Sequence, residues 1–308
     1  MSGGHSHSHV PSGTATMRHR RRLVLVVGIT AAVFVAEVIG GLLSGSLALL
    51  ADAGHMLTDS TGLVIALIAT SLAARPATAA RTFGLQRVEI LAALTNGLLL
   101  VGIAVWVLLR AIDRWNSPVD ISSGLMLTVA VVGAAANTAG LLILRGGKDE
   151  SLNLRGAYLE VLGDLLGSVA VVIAAVVIHF TGYTRADSLA SIAIFVLIVP
   201  RAWSLLRDVV DVLLESTPRG VDLDQVRSHI QEVPGVVDVH DLHAWTITSG
   251  VPVLSAHVVL DTPSITDGNS GRVLDDLAEC LHEHFDVEHC TFQIEPEGHQ
   301  AHESAHHR

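Results

Sequence analysis

The first two-thirds of the chain consists of long apolar stretches separated by short polar breaks. Six of these stretches reach about 20 residues, the length that an α-helix needs to cross the hydrocarbon core of a membrane. The pattern therefore predicts six transmembrane helices within residues 21–207. They run over Leu23–Leu43, Leu47–Ala73, Val88–Leu109, Ile121–Leu144, Ala157–Phe180 and Ala186–Leu206.

The last third of the chain has the pattern of a small α+β domain. Runs rich in β-branched residues alternate with helical stretches and are separated by Pro and Gly, which predicts the order α-β-β-α-β within residues 208–296. One sheet with its helices on one face is the economical packing for this order. The elements are a helix over Asp222–Glu232, strands over Val236–Thr248 and Val251–Leu260, a helix over Ser270–Phe285 and a strand over Cys290–Glu295.

Composition and charge support a membrane region followed by a polar domain. Hydrophobic residues make up 50% of the chain and charged residues 16%, and the mean hydropathy is +0.52. Residues 1–207 contain 15 Lys and Arg against 11 Asp and Glu, a net charge of +4, whereas residues 208–308 contain 4 against 19, a net charge of −15. This change of sign places the predicted domain boundary near residue 208.

Lys and Arg are concentrated on one side of the predicted helices. The loops on the side of both termini carry 12 of these residues, with Arg201 counted among them, and the loops on the other side carry only 3. Because positively charged loops stay in the cytoplasm, both termini are predicted to be cytoplasmic.

Two pairs of ionisable residues lie inside the apolar stretches. His55 and Asp59 belong to the second predicted helix, and Glu160 and Asp164 belong to the fifth. A spacing of four residues places each pair on one helix face. Ionisable groups at membrane depth are costly unless they are paired, hydrated or bound to an ion. If the two helices face each other, the four side chains form a metal site with one imidazole and three carboxylates.

Two other acids lie in the predicted helices. Asp52 comes three residues before His55 and is interpreted as a group that supports the metal ligands, with direct ligation as the alternative. Glu37, in the first helix, is interpreted as a partner for a basic residue or as part of a proton path. Asn96 and Asn137 are expected to form hydrogen bonds between helices.

Histidines and cysteines add candidate metal ligands near the ends of the chain. Residues 1–20 are predicted to be a flexible cytoplasmic segment and residues 297–308 a flexible His-rich tail, and each is either a metal-capturing tract or a solvated terminus. The two cysteines, Cys280 and Cys290, are either soft metal ligands or small buried apolar residues. The clustered histidines are His5, His7, His9, His299, His302, His306 and His307.

Several motifs resemble the cation diffusion facilitator family, and most closely its bacterial zinc/cadmium/cobalt efflux branch. The resemblance covers about Arg20 to Glu295, with the motifs in the expected order. They are SGSLALLADAGHMLTD around the first pair, RTFGLQRVEILAAL before the third helix, RGAYLEVLGDLLGS around the second pair, and VHDLHAWTITSG followed by LSAHVVL in the tail.

The resemblance implies a homodimeric antiporter in the bacterial plasma membrane that exports divalent metal ions from the cytoplasm in exchange for protons. Its cytoplasmic domain would have a ferredoxin-like, metallochaperone-like fold. The family's transport site corresponds here to His55, Asp59, Glu160 and Asp164. Metal ions, protons, the lipid bilayer and a second copy of the chain are the expected partners, and no nucleic acid is.

One transport ligand departs from the family pattern, because the zinc branch usually has His where this chain has Glu160. Zn²⁺ accepts both imidazole and carboxylate ligands, so it remains the first expectation as substrate and as regulator. The additional carboxylate makes the site harder and moves its preference towards ions such as Mn²⁺. Cd²⁺, Co²⁺, Mn²⁺ and Fe²⁺ are therefore the alternatives. Because bound metal requires deprotonated ligands, metal and protons compete for the same groups.

The resemblance also implies a regulatory metal site in the tail, formed by His240, His257 and Glu295, with His289 near the last ligand position. Histidines on a polar sheet face are the alternative interpretation. Strand alternation places His240 and His243 on opposite faces unless a bulge intervenes. Metal bound between two acidic tails would relieve their repulsion, which gives the hypothesis of a sensor.

Two other classes of function compete with a transporter. A metal-gated channel needs a continuous polar pore, but the third and fourth helices offer little beyond Asn96 and Asn137. An intramembrane metalloenzyme needs a catalytic motif, and the chain contains no H-E-x-x-H sequence.

Overall fold

The computed structural model describes residues 13–145, 152–248, 250–285, 287 and 289–302. The described chain begins with six long helices, all of them long and apolar enough to cross a membrane, which confirms the predicted number. Many large apolar side chains on these helices are exposed, as expected for surfaces that face lipid. The helices are α1 (Gly13–Ser44), α2 (Leu47–Ala73), α3 (Val88–Asn116), α4 (Ser123–Arg145), α5 (Leu152–Thr181) and α6 (Arg185–Leu213).

The elements that follow are α7 (Leu223–Gln231), β1 (Val236–Thr246), β2 (Pro252–Leu260), α8 (Thr262–Thr266), α9 (Ser270–Phe285) and β3 (His289–Pro296), with a 3₁₀ turn at His299–His302. The predicted order is confirmed, and the short helix α8 is an addition to it. Asp261 begins α8 by accepting a hydrogen bond from the Ser264 backbone N–H. Hydrogen bonding from the Ser264 hydroxyl, and secondly from this N–H, lowers the pKa of the Asp261 carboxyl. The terminal histidines at positions 5, 7, 9, 306 and 307 lie outside the described residues.

The chain divides into two compact units, one formed by Met1–Val64 with Asn96–Trp203 and the other by Ile65–Thr95 with Ser204–Arg308. Helix α6 continues to Leu213 and therefore passes through residue 208, where the charge changes sign. Val209 is buried between charged neighbours, at 3% exposure, so the helix keeps a buried face beyond residue 208. A domain boundary at residue 208 stays a prediction.

Small residues let the helices of the first unit approach closely. A Cβ atom on Gly40 of α1 would lie 2.7 Å from a methyl group of Val129 in α4. A Cβ atom on Gly140 of α4 would lie 3.2 Å from Val161 in α5. Close contact of this kind is a main source of helix association in lipid, where the hydrophobic effect between helices is absent.

A buried carboxylate connects the beginning of α2 to α6. Asp187, which is 1% exposed, accepts hydrogen bonds from Ser46 Oγ (2.6 Å) and from the backbone N–H groups of Leu47 (2.8 Å) and Ala48 (3.1 Å). Arg114 of α3 lies 3.3 Å from the same carboxylate. The first N–H groups of a helix lack intrahelical partners, so Asp187 supplies the cap of α2 from a distant part of the sequence.

The second unit contains a three-stranded sheet in the order β1-β2-β3. Strands β1 and β2 are antiparallel, whereas β2 and β3 are parallel, because the chain crosses back through α9 before it enters β3. An apolar core lies under one face of the sheet. Helices α7 and α9 and strand β2 contribute to it, with Val226, Ile230, Leu254, Val258, Leu277 and Leu281 among its members. The other face carries the histidines described below.

Candidate metal sites

The first half of the intramembrane cluster lies on α2. His55 Nε2 is 3.6 Å from Asp59 Oδ2, as the spacing of four residues predicts for one helix face. Both side chains are largely withdrawn from solvent, with exposures of 13% for His55 and 5% for Asp59. A metal ion bound between them would therefore use an imidazole nitrogen and the carboxylate oxygen that faces it.

The second half lies on α5. Asp164 is 2% exposed, and its Oδ1 atom has no hydrogen-bond partner among the described residues. Glu160, one turn earlier, is partly buried. Both carboxylates interact electrostatically with Asp59 of α2, so the two helices contribute to one acidic cluster. A divalent cation would bind the buried oxygen that lacks a hydrogen-bond partner and would neutralise the negative charge of the cluster.

The four side chains are nevertheless spread more widely than the ligands of a closed metal site. Among the described residues, a group with three candidate ligand atoms within 4.8 Å of one another is found in the second unit, and it does not include any of these four residues. The family resemblance implied that the α2 and α5 pairs form one site, and the structure places both in one electrostatic cluster. Their role as transport ligands remains a proposal.

Arg201 of α6 also belongs to this cluster, although the sequence pattern placed it among the loop cations. Its Nη1 atom donates a hydrogen bond to Asp59 Oδ2 at 2.9 Å. The Arg201 side chain is 50% exposed, whereas the Asp59 side chain is 5% exposed. One feature of the sequence did indicate this position, because Arg201 falls inside the sixth apolar stretch and not in the loop after it.

A second polar group lies beside Asp164. Asp52 of α2, which is 2% exposed, accepts a hydrogen bond from Ser168 Oγ of α5 at 3.4 Å. Asn137 of α4 donates to the same Ser168 Oγ at 3.3 Å, so it connects two helices as predicted. Glu37 of α1 is 1% exposed and interacts with both Asp52 and Asp164. This arrangement is consistent with Asp52 and Glu37 as supporting or proton-path groups, which stays a prediction.

The cluster with the closest spacing lies on the sheet of the second unit, with one ligand from each strand. His240 of β1 pairs with His257 of β2, and Glu295 of β3 lies on the same face. Glu295 Oε2 is 3.2 Å from His240 Nε2, and Glu295 Oε1 is 2.8 Å from His257 Nδ1. The exposed fractions are 6% for His240 and 1% for Glu295. We call these three residues the sheet triad.

The ionisation of Glu295 suits a ligand role. Burial disfavours its charged form, but hydrogen bonds from Gln293 and His240 and the nearby His257 outweigh that effect and lower the pKa of its carboxyl. The sheet triad therefore presents a carboxylate and two imidazoles, a ligand set that Zn²⁺ accepts.

A β-bulge shapes the strand beside the triad. The pairing of β1 with β2 shifts between His240 and His243, and Asp241 within the bulge has a φ of +47°. The shift places His240 and His243 on the same face of the sheet. Regular alternation would have placed them on opposite faces, and the bulge is the reason that it does not. Asp241 thereby reaches both His243 Nε2 (2.9 Å) and His257 Nε2 (3.6 Å). Sequence reasoning missed Asp241, because the bulge that turns it towards these histidines is not visible in the residue pattern.

Two other candidate ligands lie apart from the triad. His289 begins β3 six residues before Glu295, which is about 20 Å along a strand, and its ring contacts Phe83 edge-on at 5.9 Å. The Cys290 thiol donates to the Val287 carbonyl, and burial raises the pKa of this thiol. A raised pKa disfavours the thiolate that binds metal, so the geometry favours the apolar interpretation of Cys290.

Comparison with known proteins places both regions in one family. Residues 23–214 match the model of the cation efflux transmembrane domain, and residues 218–297 match that of the cation efflux protein cytoplasmic domain. The chain is 45% identical to the metal cation efflux system protein CzcD of Cupriavidus metallidurans, over 96% of this chain and 90% of that protein. It is 42% identical to the zinc transporter ZitB of Escherichia coli, over 94% of this chain and 92% of that protein.

Two further relatives complete the comparison. The cadmium, cobalt and zinc/H(+)-K(+) antiporter of Bacillus subtilis is 41% identical, over 86% of this chain and 85% of that protein. The solved structure of the metal-bound C-terminal domain of the CzcD transporter is 42% identical, covers 24% of this chain and 99% of that domain, and superposes with a TM-score of 0.21. The chain belongs to the cation efflux, or cation diffusion facilitator, family of multi-pass membrane transporters with a cytoplasmic C-terminal domain, as its motifs predicted.

Proposed function

We propose that this protein exports Zn²⁺ from the cytoplasm in exchange for protons, through a site formed by His55, Asp59, Glu160 and Asp164. The observation that carries the proposal is the collection of one imidazole and three carboxylates from α2 and α5 into one largely buried electrostatic cluster. Ionisable groups are rare and costly inside a membrane, and a cluster of them is a functional-site candidate.

The ligand set and the relatives together support zinc. Imidazole nitrogen and carboxylate oxygen are both ordinary Zn²⁺ ligands. The relatives are named as a zinc transporter and as a cadmium, cobalt and zinc antiporter. Three carboxylates to one imidazole make this site harder than one with two imidazoles, so Mn²⁺, Fe²⁺, Co²⁺ and Cd²⁺ are the ions against which Zn²⁺ must be compared.

Exchange for protons follows from the same ligands. His55 binds metal only when its ligating nitrogen is unprotonated, and carboxylates bind metal as anions. A site that releases metal on the outer side can therefore return to the cytoplasmic side carrying protons. Movement of the helices around a site near the middle of the membrane would expose it to each side in turn.

The sheet triad is proposed as a cytoplasmic metal sensor in a homodimer. Residues 208–308 carry a net charge of −15, so two such tails repel each other until a cation reduces their charge. Zn²⁺ bound by His240, His257 and Glu295 would reduce this repulsion and bias the transmembrane helices towards transport.

Transport by reconstituted protein tests the main proposal. In proteoliposomes with an imposed pH gradient, Zn²⁺ uptake should be compared side by side with Cd²⁺, Co²⁺, Mn²⁺ and Fe²⁺. Asp59→Ala and Asp164→Ala should abolish uptake, while Asp113→Ala, a change to an exposed acid of α3, should not. Wild-type uptake by either site variant in correctly folded protein would refute the site. Equal uptake without the gradient would refute proton exchange.

The sensor is tested separately by its effect on metal activation. Glu295→Gln should lower the affinity of the cytoplasmic domain for Zn²⁺ and raise the Zn²⁺ concentration needed to activate transport. His289→Ala, on the same strand but about 20 Å away, is the matched control. If deletion of residues 208–308 left activation by metal unchanged, the tail would not be the sensor.

A further inference from the structure

The guanidinium group of Arg201 contacts the oxygen of Asp59 that faces His55. Arg201 Nη1 lies 2.9 Å from Asp59 Oδ2, and His55 Nε2 lies 3.6 Å from the same oxygen. A metal ion held between His55 and Asp59 needs an oxygen in this position. The arginine and a metal ion bound beside His55 would therefore compete for the same oxygen atom.

Arg201 also acts on the rest of the proposed site. Besides its direct contact with Asp59, its charge interacts with His55, Glu160 and Asp164. Three ionised carboxylates and one arginine leave a net charge of −2, which one divalent ion neutralises. Compared with the zinc branch of the family, this chain therefore has one more carboxylate in the proposed site, Glu160, and the positive charge of Arg201 lies beside it.

We propose that Arg201 is a tethered cation that competes with the transported metal ion for Asp59 and so sets the affinity of the transport site. The proposal rests on the proposed function, because it requires Asp59 to be a transport ligand. Metal binding displaces the guanidinium from Asp59, and return of the guanidinium helps to expel the metal. Arg201 acts here as a positioning residue, since its effect passes through Asp59.

The surroundings of Arg201 allow such a movement. Half of its side chain is exposed while Asp59 is buried, so the arginine is the less enclosed partner of the pair. Pro200 precedes it inside α6, and a proline removes one helical hydrogen bond and makes bending easier at this point. A long, flexible side chain next to such a position can change its partner without unfolding the helix.

Zinc uptake by the full-length protein in proteoliposomes tests the proposal, with initial rates measured across a range of Zn²⁺ concentrations. Arg201→Gln removes the competing charge, so KM should fall by about two- to fivefold, the factor expected for loss of a partly exposed ion pair. Because metal then leaves more slowly, kcat should fall as well. Arg207→Gln removes the same charge from an exposed position about 9 Å further along α6 and should change neither constant.

Arg201→Lys provides a second variant that keeps the charge but loses the planar fork. Its KM should lie between those of the wild type and Arg201→Gln, and this variant decides the question if Arg201→Gln does not fold. A KM that is unchanged or raised in the variant that folds would overturn the proposal, as would identical KM values for the Lys and Gln variants. If Asp59→Ala transports like the wild type, the transport site itself fails. If Asp59→Ala is inactive and the KM of Arg201→Gln is unchanged, only the role of Arg201 fails.

Discussion

Replacement of Glu160 by His should change which metal ion the protein prefers. Glu160 is the proposed ligand at which this chain departs from the pattern of the family's zinc branch, and it lies one turn from Asp164 in a cluster that includes Asp59. Glu160→His exchanges a carboxylate oxygen for an imidazole nitrogen and removes one negative charge. It leaves two imidazoles and two carboxylates in the proposed site.

The size of the effect follows from separating charge from ligand type. At an effective dielectric constant of about 20, a carboxylate and a divalent cation about 4 Å apart interact by about 8 kcal/mol. Zn²⁺ and Mn²⁺ carry the same charge, so this loss weakens both ions alike and cancels in their ratio. What remains is the preference of Zn²⁺ for nitrogen and of Mn²⁺ for oxygen. A difference of about 1.4 kcal/mol, which is a modest value for such a preference, changes the ratio of affinities tenfold.

The assay compares kcat/KM for Zn²⁺ and Mn²⁺ in proteoliposomes under one pH gradient. Glu160→His should raise the Zn²⁺ to Mn²⁺ ratio by about tenfold or more. Glu160→Gln is the matched control, because it removes the charge without adding a nitrogen ligand and should lower both rates with little change in their ratio. If the two variants gave the same ratio as the wild type, Glu160 would not contact the transported ion.

Three further predictions concern stability in detergent, each measured by thermal unfolding of the full-length protein. Asp187→Ala leaves the first turn of α2 without its cap and removes one of the two partners of the partly buried Arg114, and it should cost about 2 kcal/mol or more. Because the pKa of Glu295 is lowered in the folded protein, its carboxylate stabilises the fold above the ordinary glutamate pKa, and this stabilisation is lost as the pH falls through the lower folded-state value. Glu295→Gln, measured with a metal chelator present, should remove this loss of stability in acid. An unchanged dependence of thermal stability on pH would contradict the role of Glu295. Gly167→Ala places a Cβ atom 2.3 Å from Asp52 Oδ1 and should cost about 1–3 kcal/mol, whereas Gly156→Ala, which meets nothing within 4 Å, should not destabilise the protein, because Ala favours the helix more than Gly does.

The membrane region could be predicted well from the sequence because its signals are local. A spanning helix needs only a long apolar run, and two charges four residues apart share a helix face wherever that helix lies. The pairs His55 with Asp59 and Glu160 with Asp164 were therefore identifiable without knowledge of the packing. The element order of the second unit was predictable for the same reason, since strand and helix periods differ.

Only the tertiary structure decided how side chains from distant segments meet. Arg201 reaches Asp59 across 142 residues of sequence, and a long side chain leaves no periodic signal of the direction in which it extends. The sheet triad takes one residue from each of three strands, so it depends on register, and the bulge at Asp241 shifts that register within β1. The sequence by itself determined the kinds of ligand and the helices that carry them. Packing and register determined which of these side chains lie together and which arginine contacts them.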